Sequence, residues 1–168
     1  ARSSVTPASR ASPWYTSRAV TVVSTMADEP RVHDPKSAFA DALGMKVTRW
    51  EEGFVRLEAP IQSWYLNRSG VVHGGIASAM VDMACGFAGI YAPPGTPDKH
   101  ALTLSLTVQF TGQASCGHLV AEGRVKHAGR RVYFTESTLW AVPTPETPTE
   151  RGEMLAFATG TFRLRGGT

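Results

Sequence analysis

The chain is 168 residues long, which gives room for one domain with a real hydrophobic core and hardly for two. A hydrophobic share of 42% and a charged share of 18% exclude a disordered or fibrous chain. The 17 basic against 14 acidic residues give a net charge of +3, but Arg2, Arg10 and Arg18 lie in an acid-free stretch, so the remainder is balanced and lacks the basic footprint of a nucleic-acid binder.

That stretch, residues 1–25, is rich in Ser, Thr and Arg and stops where Met26 opens a segment of different composition. It has three readings: a translated stretch upstream of a start at Met26 or an expression remnant, an organelle transit peptide, or a disordered arm. The first is favoured. It holds no apolar core of signal-peptide length, so the expectation is an arm over 1–25 followed by a single domain over 26–168.

Within the domain, a short helical stretch from Ser37 to Leu43 stops at Gly44. Met45 to Trp50 and Phe54 to Ala59 read as a strand pair turning at Glu52-Gly53. A loop from Pro60 to Val72 leads to the long helical candidate, Gly74 to about Tyr91, closed by Pro93-Pro94-Gly95. Leu102, Leu104, Leu106, Val108 and Phe110 alternate with polar residues, the period of a half-buried strand. His118 to Lys126 and Val132 to Val142 flank the turn Ala128-Gly129-Arg130-Arg131 as a long hairpin. Met154 to Leu164 supplies a last strand after a loop carrying Pro143, Pro145 and Pro148. One long helix with about six strands predicts an α+β design, a largely antiparallel sheet wrapped on a helix.

The helix is nearly uncharged, which raises a membrane reading. Asp82 in its middle would cost roughly 2.5–3.5 kcal/mol at a bilayer centre, and the prolines cut the segment short, so a buried central helix and no membrane partner are expected. Ile76, Met80, Met83, Ala84 and Phe87 fall at helical spacing and predict the sheet-facing stripe. Ser78, Cys85, Gly86 and Gly89, all small, are expected to cluster about Asp82 on another face. Such neighbours leave room for something to approach the carboxylate; the bland alternative is that Asp82 merely answers a nearby Lys or Arg. A carboxylate there needs a partner, a proton or a ligand.

Just upstream stands Asn67-Arg68-Ser69-Gly70-Val71-Val72-His73-Gly74-Gly75. A glycine pair opening a helix leaves backbone N–H groups open to close approach, and the helix dipole adds roughly half a positive charge there. This is where an oxyanion would be stabilised. His73 suits either a general base or a loop-orienting hydrogen-bond partner, and Asn67 could hold a carbonyl or a water. Cys85 and Cys116 are too few and too far apart for a C-x-x-C zinc site or a disulfide framework, so both read as buried or half-buried thiols of a reducing, cytoplasmic protein. No metal motif and no Gly-rich phosphate loop occurs, and no metal or cofactor is expected.

The run N-x-x-G-x-x-H-G-G followed by Asp nine residues after the His, Asn67 to Asp82, resembles the PaaI-like branch of the hotdog-fold acyl-CoA thioesterases. The Thr103 strand, the hairpin with Gly129-Arg130-Arg131 and the ending from Glu153 to Phe162 look similar too, so the resemblance covers roughly Phe39 to Leu164. It implies a hotdog fold and hydrolysis of acyl-CoA, coenzyme A being part of the substrate and no separate cofactor being needed. Asp82 would then be the nucleophile or the base that activates water. Gly74 N–H would be the oxyanion donor, Asn67 would position the carbonyl or the water, Thr103 would help hold the attacking water, and His73 would support the loop. Gly75, Arg130 and Arg131 are the expected substrate contacts, the arginines at the phosphates of coenzyme A. The proline-rich insert from Thr144 to Thr149 departs from the usual short turn.

The chemistry fits independently of the resemblance, because a thiolate leaves readily and one carboxylate plus an oxyanion hole can suffice. A hotdog enoyl-CoA hydratase or dehydratase and a non-catalytic acyl-CoA sensor are the alternatives. Along the helix, Asp82 lies about 12 Å beyond Gly74, too far for one carbonyl to meet both. A homodimer or dimer of dimers with sites shared between subunits is therefore expected, Asn67 and Gly74 coming from one chain and Asp82 and Thr103 from the other.

Overall fold

The computed structural model describes residues 37–165, so the expected arm over 1–25 lies outside the described residues. Ser37 caps a short helix α1 (Ala38–Ala42), its hydroxyl accepting from Ala40 N–H at 3.3 Å. Strands β1 (Lys46–Glu51) and β2 (Phe54–Pro60) turn at Gly53, whose φ of 76° is the left-handed value that glycine adopts without strain. The long helix α2 runs over Gly74–Ala88, followed by β3 (Ala101–Phe110), β4 (His118–Ala128), β5 (Val132–Val142) and β6 (Glu153–Leu164). The six strands form one sheet in the order β1-β2-β4-β5-β6-β3, every neighbouring pair antiparallel. The sheet wraps α2, the α+β hotdog design that the sequence pattern and the resemblance led us to expect.

Alternate residues of each strand point at the helix. Val55, Leu57 and Ala59 of β2, Leu119 and Ala121 of β4, Leu139 and Ala141 of β5, and Ala156 and Ala158 of β6 are buried against it. The opposite face carries charge, with Arg56 bridging Glu58 at 2.8 Å and Glu122 at 3.1 Å. The proline-bearing loop after β5 approaches β2 on that charged edge, where Arg56 Nη2 donates to Pro145 O at 3.5 Å.

The helix face differs from the expected stripe. Met80 and Ala84 are buried as predicted, but Ile76, Met83 and Phe87 are only half-buried, and the buried face is completed by Ala77, Val81, Cys85 and Ala88. Close approach explains the rotation. A Cβ built on Gly123 of β4 would stand 2.0 Å from Ala84 O, so the sheet touches the helix backbone and admits only small side chains along the line of contact. The larger Ile76, Met83 and Phe87 sit on the flanks, still packed against the core. Cys85, expected beside Asp82 among small residues, instead packs into a buried cluster with Ile90, Tyr133 and Phe162.

The helix also ends before Tyr91. A Cβ on Gly89 would meet the Tyr133 ring at 2.1 Å, and the Tyr133 hydroxyl donates to Gly86 O at 2.8 Å, so the ring occupies the path of a further turn. Cys85 is fully buried, while Cys116 is exposed and corrects the expectation of a buried or half-buried thiol. Cys116 sits in the connection between β3 and β4, outside the core.

Strand β3 departs most from its pattern. Strict alternation would turn Leu102 and Leu104 inward with Leu106 and Val108, yet they are 54% and 57% exposed. The register against β6 shifts between Thr103 and Ser105. Leu106 and Val108 oppose Gly160 and Ala158, both buried, whereas on the other side of the irregularity it is Thr103 that opposes the buried Phe162. A bulge thus exchanges the faces of the strand, and a hydroxyl replaces a leucine on the helix side.

Candidate active site

Asp82 lies midway along α2, half-buried on the flank that faces β3. The bulge delivers its partner: Thr103 Oγ1 donates to Asp82 Oδ1 at 3.0 Å. Among the described residues every ion pair lies elsewhere, so the reading of Asp82 as the mere answer to a Lys or Arg does not hold. Burial pushes its carboxyl above the ordinary value, and the Thr103 hydrogen bond draws it part of the way back. Burial chiefly, and to a lesser degree the Asp82 charge, pushes the Cys85 thiol up to about 11, which keeps it protonated and removes it as a nucleophile.

The loop before α2 is built by its own side chains. Asn67 Oδ1 accepts from Ser69 N–H at 2.8 Å and from Val71 N–H at 3.4 Å, closing a turn in which Gly70 takes a φ of 74°. The acceptor end of Asn67 is therefore spent locally, and its amide NH2 is what remains for a substrate carbonyl. The loop is anchored where His73 N–H donates to Tyr65 O and Val72 N–H to Ala114 O, both at 2.8 Å.

His73 is the N-cap of the helix. Its Nδ1 accepts from Gly75 N–H at 2.9 Å, which occupies the lone pair a general base would use and leaves the ring to orient the turn. The same bond engages the Gly75 N–H. Gly74 N–H has no acceptor among the described residues, so the helix opens with a single free donor where its dipole is positive.

Within this chain the structure joins Asn67, His73, Gly74 and Gly75 at one end of the helix and Asp82 with Thr103 about two turns further on. Arg130 and Arg131 lie apart, at the β4–β5 turn. There they line a hollow of about 530 Å³ with Arg163, Leu164 and Arg165, and none of the four arginines has a carboxylate partner among the described residues. Arg163 and Arg165 were not singled out in the sequence. Their spacing of two at the end of β6, with Arg163 on the strand and Arg165 just past it, was the available signal.

A six-stranded antiparallel sheet wrapped on one long helix defines a hotdog protein, here with a half-buried carboxylate, its hydroxyl partner and an open helix N-terminus. Comparison with known proteins agrees. The family model for the thioesterase superfamily matches residues 69–147. A protein of Halobacterium salinarum named "Putative esterase" is 30% identical over 125 residues, covering 73% of this chain and 81% of that protein. A solved structure of a conserved protein from Pseudomonas aeruginosa superposes with a TM-score of 0.65 at 25% identity, over 77% of this chain and 95% of that one. A thioesterase family protein from Silicibacter pomeroyi gives a TM-score of 0.66 at 22% identity, over 78% of this chain and 91% of that one, a likeness of fold. The chain belongs to the thioesterase superfamily, which places it among ester and thioester hydrolases. No helix among the described residues is long and apolar enough to cross a membrane.

Proposed function

We propose that the protein hydrolyses acyl-CoA thioesters to the free acid and coenzyme A, at sites shared between two copies of the chain. The observation that carries this reading is the presence of a half-buried carboxylate whose partner among the described residues is Thr103, together with an N–H at Gly74 that has no acceptor among the described residues. The carbonyl oxygen accepts from Gly74 N–H, helped by the Asn67 amide. Asp82 removes a proton from water as its oxygen attacks the carbonyl carbon, or attacks that carbon itself to form a mixed anhydride, which water cleaves to the free acid and Asp82 once the thiolate has left. The C–S bond then breaks and the thiolate of coenzyme A leaves, taking up a proton. Release of free thiol from an acyl-CoA panel tests the reading, and Asp82→Asn should lower it by about 10²-fold or more. A loss below about tenfold makes Asp82 structural, and loss of enoyl absorbance without thiol release would favour a hydratase. Tight acyl-CoA binding without either reaction would favour a sensor.

Two features support the shared site. Gly74 and Asp82 are about 12 Å apart along the helix. Strand β3 is the last in its sheet, hydrogen-bonded on one side to β6 and carrying the exposed Leu102, Leu104 and Phe110. An open apolar edge of this kind is a template for a second strand. Antiparallel pairing of β3 with its own copy about a two-fold axis through the strand's midpoint sets the Phe110 end, beside Gly74, against the Thr103 end of the copy.

Four arginines around one hollow suit the phosphates of coenzyme A, since guanidinium forks match phosphate oxygens. Changing Arg130 and Arg131, or Arg163 and Arg165, to Ala should raise KM in a salt-sensitive way with kcat little altered. An unchanged KM at low salt would remove that pair from the site.

A further inference from the structure

We infer that Phe110 is a specificity residue: its ring is the wall on which the acyl group lies, and it favours acyl groups with several apolar carbons beyond the carbonyl over acetyl. The inference rests on the proposed oxyanion role of Gly74. A Cβ placed on Gly74 would stand 3.5 Å from both Cε1 and Cζ of Phe110, so the ring lies at van der Waals distance from the turn that carries the open N–H. A carbonyl oxygen accepting there brings the carbons attached to it within reach of the ring.

The backbone beside the ring is held, and the ring is not consumed by the core. Phe110 ends β3, and the next residue is fixed, Thr111 Oγ1 donating to Met154 O at 2.8 Å and Thr111 N–H to Leu155 O at 2.9 Å. Yet in the single chain the side chain is 57% exposed, and in the proposed pairing it faces the shared site at the strand end. Beside it opens a hollow of about 380 Å³ lined by Phe110, Thr111, Gly112, Gln113 and Glu153. A Cβ on Gly112 would come within 2.5 Å of Glu153 Oε1 and Met154 O, so turn and strand are already in contact and the floor has little room to shift. The acyl chain thus has an aromatic wall next to its carbonyl, carried on a strand end that is fixed, while the hollow beyond is lined mainly by polar groups. An acetyl group ends at its first carbon and covers little of the ring, whereas each further methylene removes more apolar surface from water.

The test compares the wild-type chain with Phe110→Ala and Phe110→Leu, using hexanoyl-CoA and acetyl-CoA as substrates. Binding of the matching dethia analogues, in which a methylene replaces the sulfur and hydrolysis is impossible, is measured alongside. The hexanoyl-to-acetyl ratio of kcat/KM and the corresponding ratio of affinities should fall at least tenfold in Phe110→Ala and be partly restored in Phe110→Leu. Turnover with both ratios within twofold of wild type in both variants overturns the wall while leaving the hydrolase reading intact. Absent turnover with the affinity ratio still falling does the reverse. Failure of the wild-type protein to bind either analogue overturns both.

Discussion

Asp82 is the residue to which we assign the chemistry, and under that proposal its titration links activity to stability with opposite signs. Its carboxyl titrates above the ordinary aspartate value, so between the unfolded and folded pKa the native state holds more protons than the unfolded chain. Stability therefore falls as pH rises through that window, and the loss is complete above it. Asp82→Asn keeps an acceptor for Thr103 and loses the charge, so at pH 7 it should melt above wild type, the gap closing below about pH 3.9. A variant melting lower than wild type at pH 7 would show that the carboxylate stabilises the fold. With Asp82 as base or nucleophile, activity needs the deprotonated form and should rise with pH. Thr103→Val removes the hydrogen bond that draws the carboxyl down, so the acid limb of kcat/KM should move to higher pH, with Thr103→Ser restoring it.

At the scale of elements, two contacts set where the site residues stand. The first is the bulge in β3, which turns Thr103 toward the helix and Leu102 and Leu104 away from it. The second is the contact of β4 with α2 at Gly123 and Ala84, where helix backbone meets strand with no side chain between them. Gly123→Ala must push the helix off the sheet, because the atom it meets is a backbone carbonyl rather than a flexible side-chain end. Chemical denaturation should show a loss of about 1–3 kcal/mol or more, with no change in the slope on denaturant. A stability within 0.5 kcal/mol of wild type would mean that the helix moves freely against the sheet, roughly the scale of an ordinary surface change.

At the scale of the whole molecule, the proposed roles of Gly74 and Asp82 call for a second copy, because the two lie about 12 Å apart along one helix. Asn67→Ala and Asp82→Ala, each nearly inactive alone, can be unfolded together and refolded. Random pairing makes about half of the dimers mixed, each with one intact and one doubly damaged site, so roughly a quarter of wild-type activity should return. If mixed dimers form and activity stays at the level of the single variants, the site is contained in one chain.

The sequence by itself determined the elements, the place of the long helix between Gly74 and the prolines, and the motif from Asn67 to Asp82. Turn glycines, caps and hydrophobic period are local, and local chemistry is written in neighbouring residues. It did not determine which helix face is buried, because that depends on how closely Gly123 lets the sheet approach Ala84. The polar positions of β3 gave no sign that Thr103 would turn inward, since strict alternation points it to solvent and only pairing with β6 introduces the bulge. The arginine hollow and the seat of Phe110 on Gly74 likewise exist only once distant segments meet. Tertiary structure decided these because each is a distance between residues that no spacing along the chain encodes.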